Sequence, residues 1–490
     1  MRTMLGRLRH RGSSYDEIWS SPSVALGANR LEIVDPAGGR QPVSNESETL
    51  FAVFNGEIYN HRELSRLLTG RGHRIRSKCD SEILVHAFEE WGSGMCDHLR
   101  GMFAFALYDA RHDRILLARD PAGVKPLYVG YGHDNSFFAA SEAKALVGFA
   151  TSADLLAPGH LHDGSQPVAY HPPQETMRYH SFGEAAAHLR ELLNEAVTLR
   201  LPEDLPFAVF LSSGIDSSLI LALAARARPD VIAITFGLPD SPEVRDAKQF
   251  CQCLGVRHEV VELPFQALVA RYEEVIRHLE SFEPNLVRAS LITHALCERA
   301  RQLGVRVALA GEGADEQFAG YEDFRHLPEE ELDRVLQAFF DDLHRTQLLR
   351  WDKIAMAHMV EVRTPFMDRR VVDFARSVPP SFKLSRPSGK ATPLAKAILA
   401  EAAKDLLPES IRLRAKIAMD DGVTAGGARQ WNRLLSAHFA SCPLPPLPET
   451  ICVQFAITNK EELVNLSLML RYLPPEFIST SRITVRKTPI

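Results

Sequence analysis

The sequence lacks any apolar run approaching the ~20 residues that a membrane-spanning helix needs. It also lacks a basic-then-apolar leader, so no membrane association is expected and the cytoplasm is the default compartment. There is no surplus of positive charge: 56 Lys and Arg stand against 62 Asp and Glu, a net charge of −6. Non-specific nucleic-acid binding depends on cations that neutralise phosphates, so that class is set aside. Cysteine is sparse, with seven thiols at 79, 96, 251, 253, 297, 442 and 452. An odd number at irregular spacing fits neither a disulfide framework nor a cysteine-based zinc motif. All seven read as reduced, and Cys251 and Cys253, within a helical stretch, read as buried thiols. None lies before position 79. No internal repeat is found, and no GxxxxGK[ST] loop occurs anywhere.

What is present is the composition of a folded chain, 45% hydrophobic and 24% charged. Its 490 residues exceed what one core ordinarily serves, so at least two domains are expected. Over residues 1–175, short strand-like runs (Thr49–Phe54, Met102–Tyr108, Arg114–Ala118, Ser136–Ala140) are interleaved with helical patterns at His61–Leu68 and Asp80–Trp91. That mixture predicts an α+β domain. Ala157–Gln174, rich in Gly, Pro and His, reads as a connecting hairpin or linker.

Over residues 183–490 the rhythm changes. A helix Phe182–Arg200 leads to a strand Phe207–Leu211, a helix to about Arg228 and a strand Val231–Gly237. A helix from Pro242, a strand near His258–Leu263 and a strand Val305–Ala310 follow. Strands alternating with helices predict an α/β doubly wound parallel sheet covered on both faces. Helical patterns dominate from Pro328 onward, Cys442–Pro448 interrupts them, and Ser479–Ile490 reads as a loose tail.

Chemistry concentrates in two loops. Leu211-Ser212-Ser213-Gly214-Ile215-Asp216-Ser217 lies between an apolar strand and a helix. Small residues let consecutive backbone N–H groups face one anion, and the helix start adds its positive end. Asp216 is the odd member, because a carboxylate beside phosphate is repulsive unless a cation lies between them; it is therefore read as a Mg²⁺ ligand. The loop resembles the pyrophosphate loop of ATP pyrophosphatases, although a serine-capped helix start would look similar. The second loop, Gly311-Glu312-Gly313-Ala314-Asp315-Glu316, again follows an apolar strand. Strand-end loops of a parallel sheet open onto one edge, so Asp216 and Asp315 could hold Mg²⁺ against a triphosphate from opposite sides, with Glu312 facing the reacting carboxylate or the amine.

Further segments occur in the order found in asparagine synthetases: Ser241–Ala247, Glu280–Ser290, Leu309–Tyr321, Asp352–Asp368 and Arg412–Val423. The C-terminal half thus resembles that family, whose synthetase domain is similar to adenine-nucleotide α-hydrolases. The resemblance implies that a carboxylate attacks the α-phosphate of ATP, giving an acyl-adenylate and pyrophosphate, and that ammonia then displaces AMP. It implies that residues Leu211 to Ser217 and Asp315 hold pyrophosphate and metal, and that Gly311 packs near the nucleotide. Glu312 would assist at the carbonyl, Arg288 would contact phosphate or substrate, and Lys416 would stabilise charge developing on the phosphates. Departures are Ser213 in place of a second glycine, Ala310 in place of a common serine, and Asn285 and Leu286 in place of two threonines.

The first domain resembles the glutaminase of class II amidotransferases, an Ntn-hydrolase-like αββα sandwich. The matching stretches are Arg9–Gly12, Asn29–Asp35, Phe54–Asn60, Cys79–Leu84, Arg119–Tyr128 and Ala140–Leu146. In that resemblance Arg30, Glu57 and Asp80 grip the amino-acid end of glutamine, and Asn55 and Gly56 form the oxyanion hole. The chemistry takes a cysteine at the mature N-terminus, whose own amine is the base. Met1-Arg2-Thr3-Met4 instead reads as partway into a helix, with the first strand truncated, and Cys79 is internal. The expectation is a vestigial glutamine pocket in this chain, with ammonium and not glutamine supporting turnover, whether the start lies upstream or the domain is kept for structure.

The leading reading is asparagine formation from aspartate, with ATP and Mg²⁺ and with ammonia or glutamine as nitrogen donor. The alternatives are a family relative that adenylates another carboxylate and closes a lactam, and a non-catalytic assembly partner. A tRNA-modifying pyrophosphatase is disfavoured by the acidic balance and the lack of a CxxC pair. Homodimerisation is left open.

Overall fold

The computed structural model describes residues 1–36, 38–170, 178–238, 240–385, 393–414, 427–443 and 446–478. The chain divides into two units: Met1–Gln174 with Met356–Met359 and Leu470–Ser479, and Glu175–Ala355 with Val360–Met469 and Thr480–Ile490.

Alternating apolar residues set the first unit's main sheet. In Gly101–Asp109, Phe103, Phe105 and Leu107 face one side and Ala104 and Ala106 the other. Six antiparallel strands lie in the order Val168–Ala169, His160–His162, Arg114–Arg119, Gly101–Asp109, Leu50–Ile58 and Val43–Ser44. Helices His61–Gly70 and Ile83–Trp91 bury Leu64, Leu68, Ile83, Leu84, Val85 and Ala87 against one face. Against the other, Leu127, Val129 and Leu156 from the small sheet Phe137–Ala140, Tyr128–Tyr131 and Asp154–Leu155 meet Ala104 and Leu117. A hairpin, Ser14–Ser20 with Ala25–Arg30, stacks Trp19 on Phe51 at 3.9 Å between ring centroids. The stretch expected to be a connecting hairpin does form one, but His160–His162 also joins the main sheet beside Arg114–Arg119. Residues 171–174 of that stretch lie outside the described residues.

The second unit holds a five-stranded, wholly parallel sheet. The order is Arg257–Glu262, Ile232–Gly237, Phe207–Phe210, Val307–Leu309 and Glu361–Arg363. Phe207–Phe210 and Ile232–Gly237 are buried at every residue, as strands covered on both faces must be. The C-terminal region is helical as expected, in Glu329–Asp342, Gln347–Ala357 and Arg369–Ser377 among others, except that Glu361–Arg363 supplies the fifth strand. Phe207–Phe210 and Val307–Leu309 are neighbours, so the loops that follow them leave the sheet side by side. The tail Ser479–Ile490 lies outside the described residues, and no helix among them is long and apolar enough to cross a membrane.

All seven cysteines are free. Cys251 is buried as expected, but Cys253 is exposed, because two residues along a helix turn a side chain to the opposite face.

Candidate active site

Strand Phe207–Phe210 runs into the loop Leu211–Gly214, and Gly214 is the N-cap of helix Ile215–Ala227. The loop is pinned from inside. Ser217 Oγ accepts from the Ser212 backbone N–H at 3.0 Å and lies 3.1 Å from Ser212 Oγ. Ser213 Oγ donates to the Glu243 carbonyl at 2.8 Å. Ser213 has φ +52, a left-handed conformation that costs a non-glycine residue about 1–2 kcal/mol; the substitution of serine for glycine is therefore tolerated rather than favoured. Ser212 is exposed at the loop's tip and Gly214 is half-buried, while Leu211, Ile215, Asp216 and Ser217 are buried.

The second loop touches the first. A Cβ added to Gly311 would stand 3.0 Å from Asp216 Cβ and 3.2 Å from the Ser217 nitrogen, so only glycine fits there without displacement. Asp315, in the short helix Ala314–Phe318, then converges with Asp216 on one cation. The ammonium of Lys396 lies 2.5 Å from Asp216 Oδ2 and 2.6 Å from Asp315 Oδ1. Lys396 is 5% exposed and left-handed (φ +52), and its N–H donates to the Phe318 carbonyl at 3.2 Å. Gly320 lies flat against this group: a Cβ there would be 1.9 Å from Asp315 Oδ1 and 2.2 Å from Lys396 Cε. Two carboxylates already spanned by one cation are a donor set that suits Mg²⁺, which takes oxygen ligands from one or two carboxylates.

Glu312 is held from one side. Trp351 Nε1 donates to its Oε1 at 2.7 Å, and Arg350 Nη2 donates to the same oxygen. Arg350 is buried, donates also to Thr293 Oγ1 and Gln347 Oε1, and lies over the Trp351 ring at 4.7 Å. The Trp351 ring in turn stacks on Phe210, at 5.2 Å and 12° between planes, immediately before the first loop. Oε1 is thus occupied, and among the described residues none is paired with Oε2. Arg350 and Trp351 have no sequence motif that would have singled them out.

Glu316 is fully buried, and Tyr321 donates its hydroxyl to Oε1 at 2.5 Å. Burial first, then the charge of Asp315 and more weakly of Glu312, pushes its pKa up to about 8. A carboxyl whose pKa is raised on folding contributes stability that is fully present below its unfolded pKa near 4.5 and is lost as pH rises through about 8. Urea unfolding of metal-free protein from pH 5 to 9 should therefore show stability falling with pH, and Glu316→Gln should flatten that fall. An unchanged slope in the variant would exclude Glu316 as its source.

Other expected site residues fall as follows. Arg288 makes a two-point ion pair with Glu461, at 2.9 Å through Nε and 2.5 Å through Nη2. Asn285 is exposed and Leu286 buried at the start of helix Pro284–Gln302. Lys416 lies outside the described residues.

In the first unit, the residues expected around glutamine are brought together. Asn55, Gly56 and Glu57 are consecutive on strand Leu50–Ile58, and the next residue, Ile58, donates its N–H to Asp80 Oδ2 at 2.8 Å. A Cβ on Gly39 would meet Arg30 Nη2 at 2.3 Å and Cys79 Sγ at 2.7 Å, so Arg30 reaches the segment that carries Asp80. Arg30 is anchored by the carbonyls of Val34, Asp35 and Pro36 at 2.7, 2.8 and 3.1 Å. Gly56 has φ +147, and a Cβ there would stand 2.0 Å from the Met102 oxygen. Asn55 Nδ2 is buried and has no hydrogen-bond partner among the described residues, a donor free to meet an acceptor. Cys79 is a poor nucleophile, since burial, with the adjacent Asp80 charge, pushes its thiol up to about 11.

Comparison with known proteins agrees with this division. Residues 1–181 match the family model described as a glutamine amidotransferase domain, and 188–331 and 325–446 match asparagine synthase. The chain is 35% identical over 439 residues to the glutamine-hydrolyzing asparagine synthetase 2 of Lotus japonicus, covering 86% of this chain and 74% of the relative. It is 35% identical over 453 residues to the glutamine-hydrolyzing asparagine synthetase of Sandersonia aurantiaca, covering 89% and 85%. With synthetase 3 of Arabidopsis thaliana it shares 36% identity over 440 residues, covering 85% and 75%.

Proposed function

Because the chain belongs to the asparagine synthetase family of carbon–nitrogen ligases, we propose that it makes asparagine from aspartate, with ATP split to AMP and pyrophosphate. The observation that carries this reading is the convergence of Asp216 and Asp315, from neighbouring strand-end loops, on a single cation.

In this reading residues 1–175 form a glutaminase-like domain and 183–490 the synthetase domain. The backbone and hydroxyls of Leu211 to Ser217, at the start of helix Ile215–Ala227, bind the β- and γ-phosphates that leave as pyrophosphate. Asp216 and Asp315 would hold Mg²⁺, which would neutralise phosphate charge. Lys396 exchanges its carboxylate partners for phosphate oxygen when the nucleotide enters. Gly311 keeps the two loops close enough to share one metal. Aspartate's side-chain carboxylate attacks the α-phosphorus, forming the acyl-adenylate and releasing pyrophosphate. Ammonia then adds to the acyl carbon, AMP departs with the bonding pair, and Glu312 Oε2 accepts the surplus proton of the adding amine. Arg350 and Trp351, by occupying Oε1, fix which oxygen does this. As the family resemblance implies, Arg288 would contact phosphate or substrate by leaving its Glu461 partner, and Lys416 would stabilise charge developing on the phosphates.

The glutamine pocket of Arg30, Asn55, Gly56, Glu57 and Asp80 has the donors for the substrate, and the buried Cys79 thiol is no competent nucleophile for it. The protein is therefore expected to form AMP and asparagine in equal amounts from aspartate, MgATP and ammonium. Aspartate-independent AMP formation would overturn the reading of the acceptor. Because Asn285 and Leu286 replace threonines at the start of helix Pro284–Gln302, the assay includes other amino-acid carboxylates; a lactam product from one of them would make this chain a cyclising relative.

A further inference from the structure

Outside both sites, His73, His86 and Glu89 converge in the first unit, with one ligand-capable atom of each within 4.8 Å of the others. His73 lies beyond the end of helix His61–Gly70, whereas His86 and Glu89 share a face of helix Ile83–Trp91 at i, i+3 spacing. His86 is completely buried, yet among the described residues neither of its ring nitrogens finds a hydrogen-bond partner. Nδ1 stands 3.6 Å from Glu46 Oε2, and Nε2 stands 3.6 Å from Glu82 Oε1. His73 has the same surroundings, with Nδ1 3.6 Å from Glu89 Oε2 and Nε2 3.2 Å from Glu90 Oε2. Arg71 answers Glu90 at 2.5 Å. Two imidazoles are thus set among four carboxylates: His73 Nε2 hydrogen-bonds to Glu90, and the three 3.6 Å separations are too long for good hydrogen bonds.

We propose that this cluster is a zinc site, with His73, His86 and Glu89 as protein ligands and solvent as the fourth. Two imidazoles and a carboxylate suit Zn²⁺, whereas Mg²⁺ prefers an all-oxygen shell. A metal on one nitrogen of His86 leaves the other N–H to donate to Glu46 or Glu82, and the same holds for His73 and Glu90. This carboxylate–imidazole–metal relay is the usual support of a bound histidine. Zinc ligands lie ~2.1 Å from the ion, so the three atoms must draw inward. Glu89 is exposed and His73 half-buried, and both can turn toward the fixed His86. The ion would tie the segment after the first helix to helix Ile83–Trp91. The turn Asp80–Glu82 directly precedes that helix, so the site braces the segment carrying Asp80.

The test uses the whole, tag-free chain, stripped of metal and titrated with Zn²⁺ against a chromophoric chelator, with thermal unfolding followed in parallel. Wild type should take up one equivalent and unfold at a higher temperature with Zn²⁺ than without. Co²⁺ in place of Zn²⁺ should give the visible absorption of a four-coordinate site. His86→Gln disturbs a buried position, so the surface pair His73→Gln/Glu89→Gln decides the matter. It should bind Zn²⁺ at least tenfold more weakly and lose the thermal shift, while ammonium-dependent AMP formation is unchanged. Equal affinity and stoichiometry in wild type and the double variant, or no uptake by wild type at micromolar Zn²⁺, would overturn the proposal.

Discussion

Replacing Asp315 by asparagine is expected to lower ATP-dependent AMP release about 1,000-fold, because metal-borne charge stabilisation is worth several kcal/mol and each 1.36 kcal/mol is a factor of ten. Asparagine keeps the size and an oxygen but loses the negative charge that a divalent ion needs. Asp216→Asn should behave alike, since the two carboxylates face one cation from neighbouring loops. Each variant also leaves the buried Lys396 ammonium with one acidic partner in place of two, so some loss of folding stability is expected as well. Thermal unfolding separates the contributions: the activity loss should persist at temperatures where both variants are fully folded. The defect should show in kcat and in the magnesium dependence more than in KM for aspartate. Wild-type AMP release by either folded variant would remove the basis for a shared metal.

Gly320→Ala is the second large effect. Its Cβ would lie inside the contact radius of Asp315 Oδ1 and Lys396 Cε, at 1.9 and 2.2 Å. Neither neighbour can withdraw without breaking the three-way contact, because Asp315 is anchored through its carbonyl, which accepts from the Gly320 N–H at 2.9 Å. Overpacking of this kind costs about 1–3 kcal/mol of stability. A displacement near 1 Å at a catalytic group is expected to cost about 100-fold in rate. The matched control is Gly183→Ala, in the helix Phe182–Arg200, where nothing lies within 4 Å of the added methyl. The control should retain full AMP release and equal or slightly higher stability. If Gly320→Ala were as active as the control, the aspartate–lysine geometry would not be the working one.

Asp216 and Asp315 were readable because each sits in a small-residue loop directly after an apolar strand, a pattern whose meaning is local. Lys396 is 180 residues from Asp216 and belongs to the unremarkable run Pro393–Ile398, so only the folded chain reveals it. Arg350 and Trp351 escaped for a similar reason: the family-like segment begins at Asp352, directly after them, and their tie to Glu312 depends on helix Gln347–Ala357 packing beside Phe210. The strand Glu361–Arg363 has three residues, too few for any periodicity to register. The pairing of Arg288 with Glu461 was not readable, because it depends on a helix far along the chain. Asn55, Gly56 and Glu57 are consecutive on one strand, so the sequence itself keeps them together. His73 and His86 match no spacing rule, since what brings them together is the packing of two helices.

The separation of Asp216, Asp315 and Lys396 along the chain also sets an order of events during synthesis. Strands Phe207–Phe210 and Val307–Leu309 are hydrogen-bonded neighbours, yet the second leaves the ribosome long after the first. At roughly 5–20 residues per second, the 180 residues from Asp216 to Lys396 take about 10 to 40 seconds to emerge. From the emergence of Asp315 until that of Lys396 the nascent polypeptide carries two aspartate loops without their shared ammonium, and the closure entropy of so long a connection delays the pairing. A chain that stops short of Lys396 therefore presents Asp216 and Asp315 without the ammonium that pairs with both.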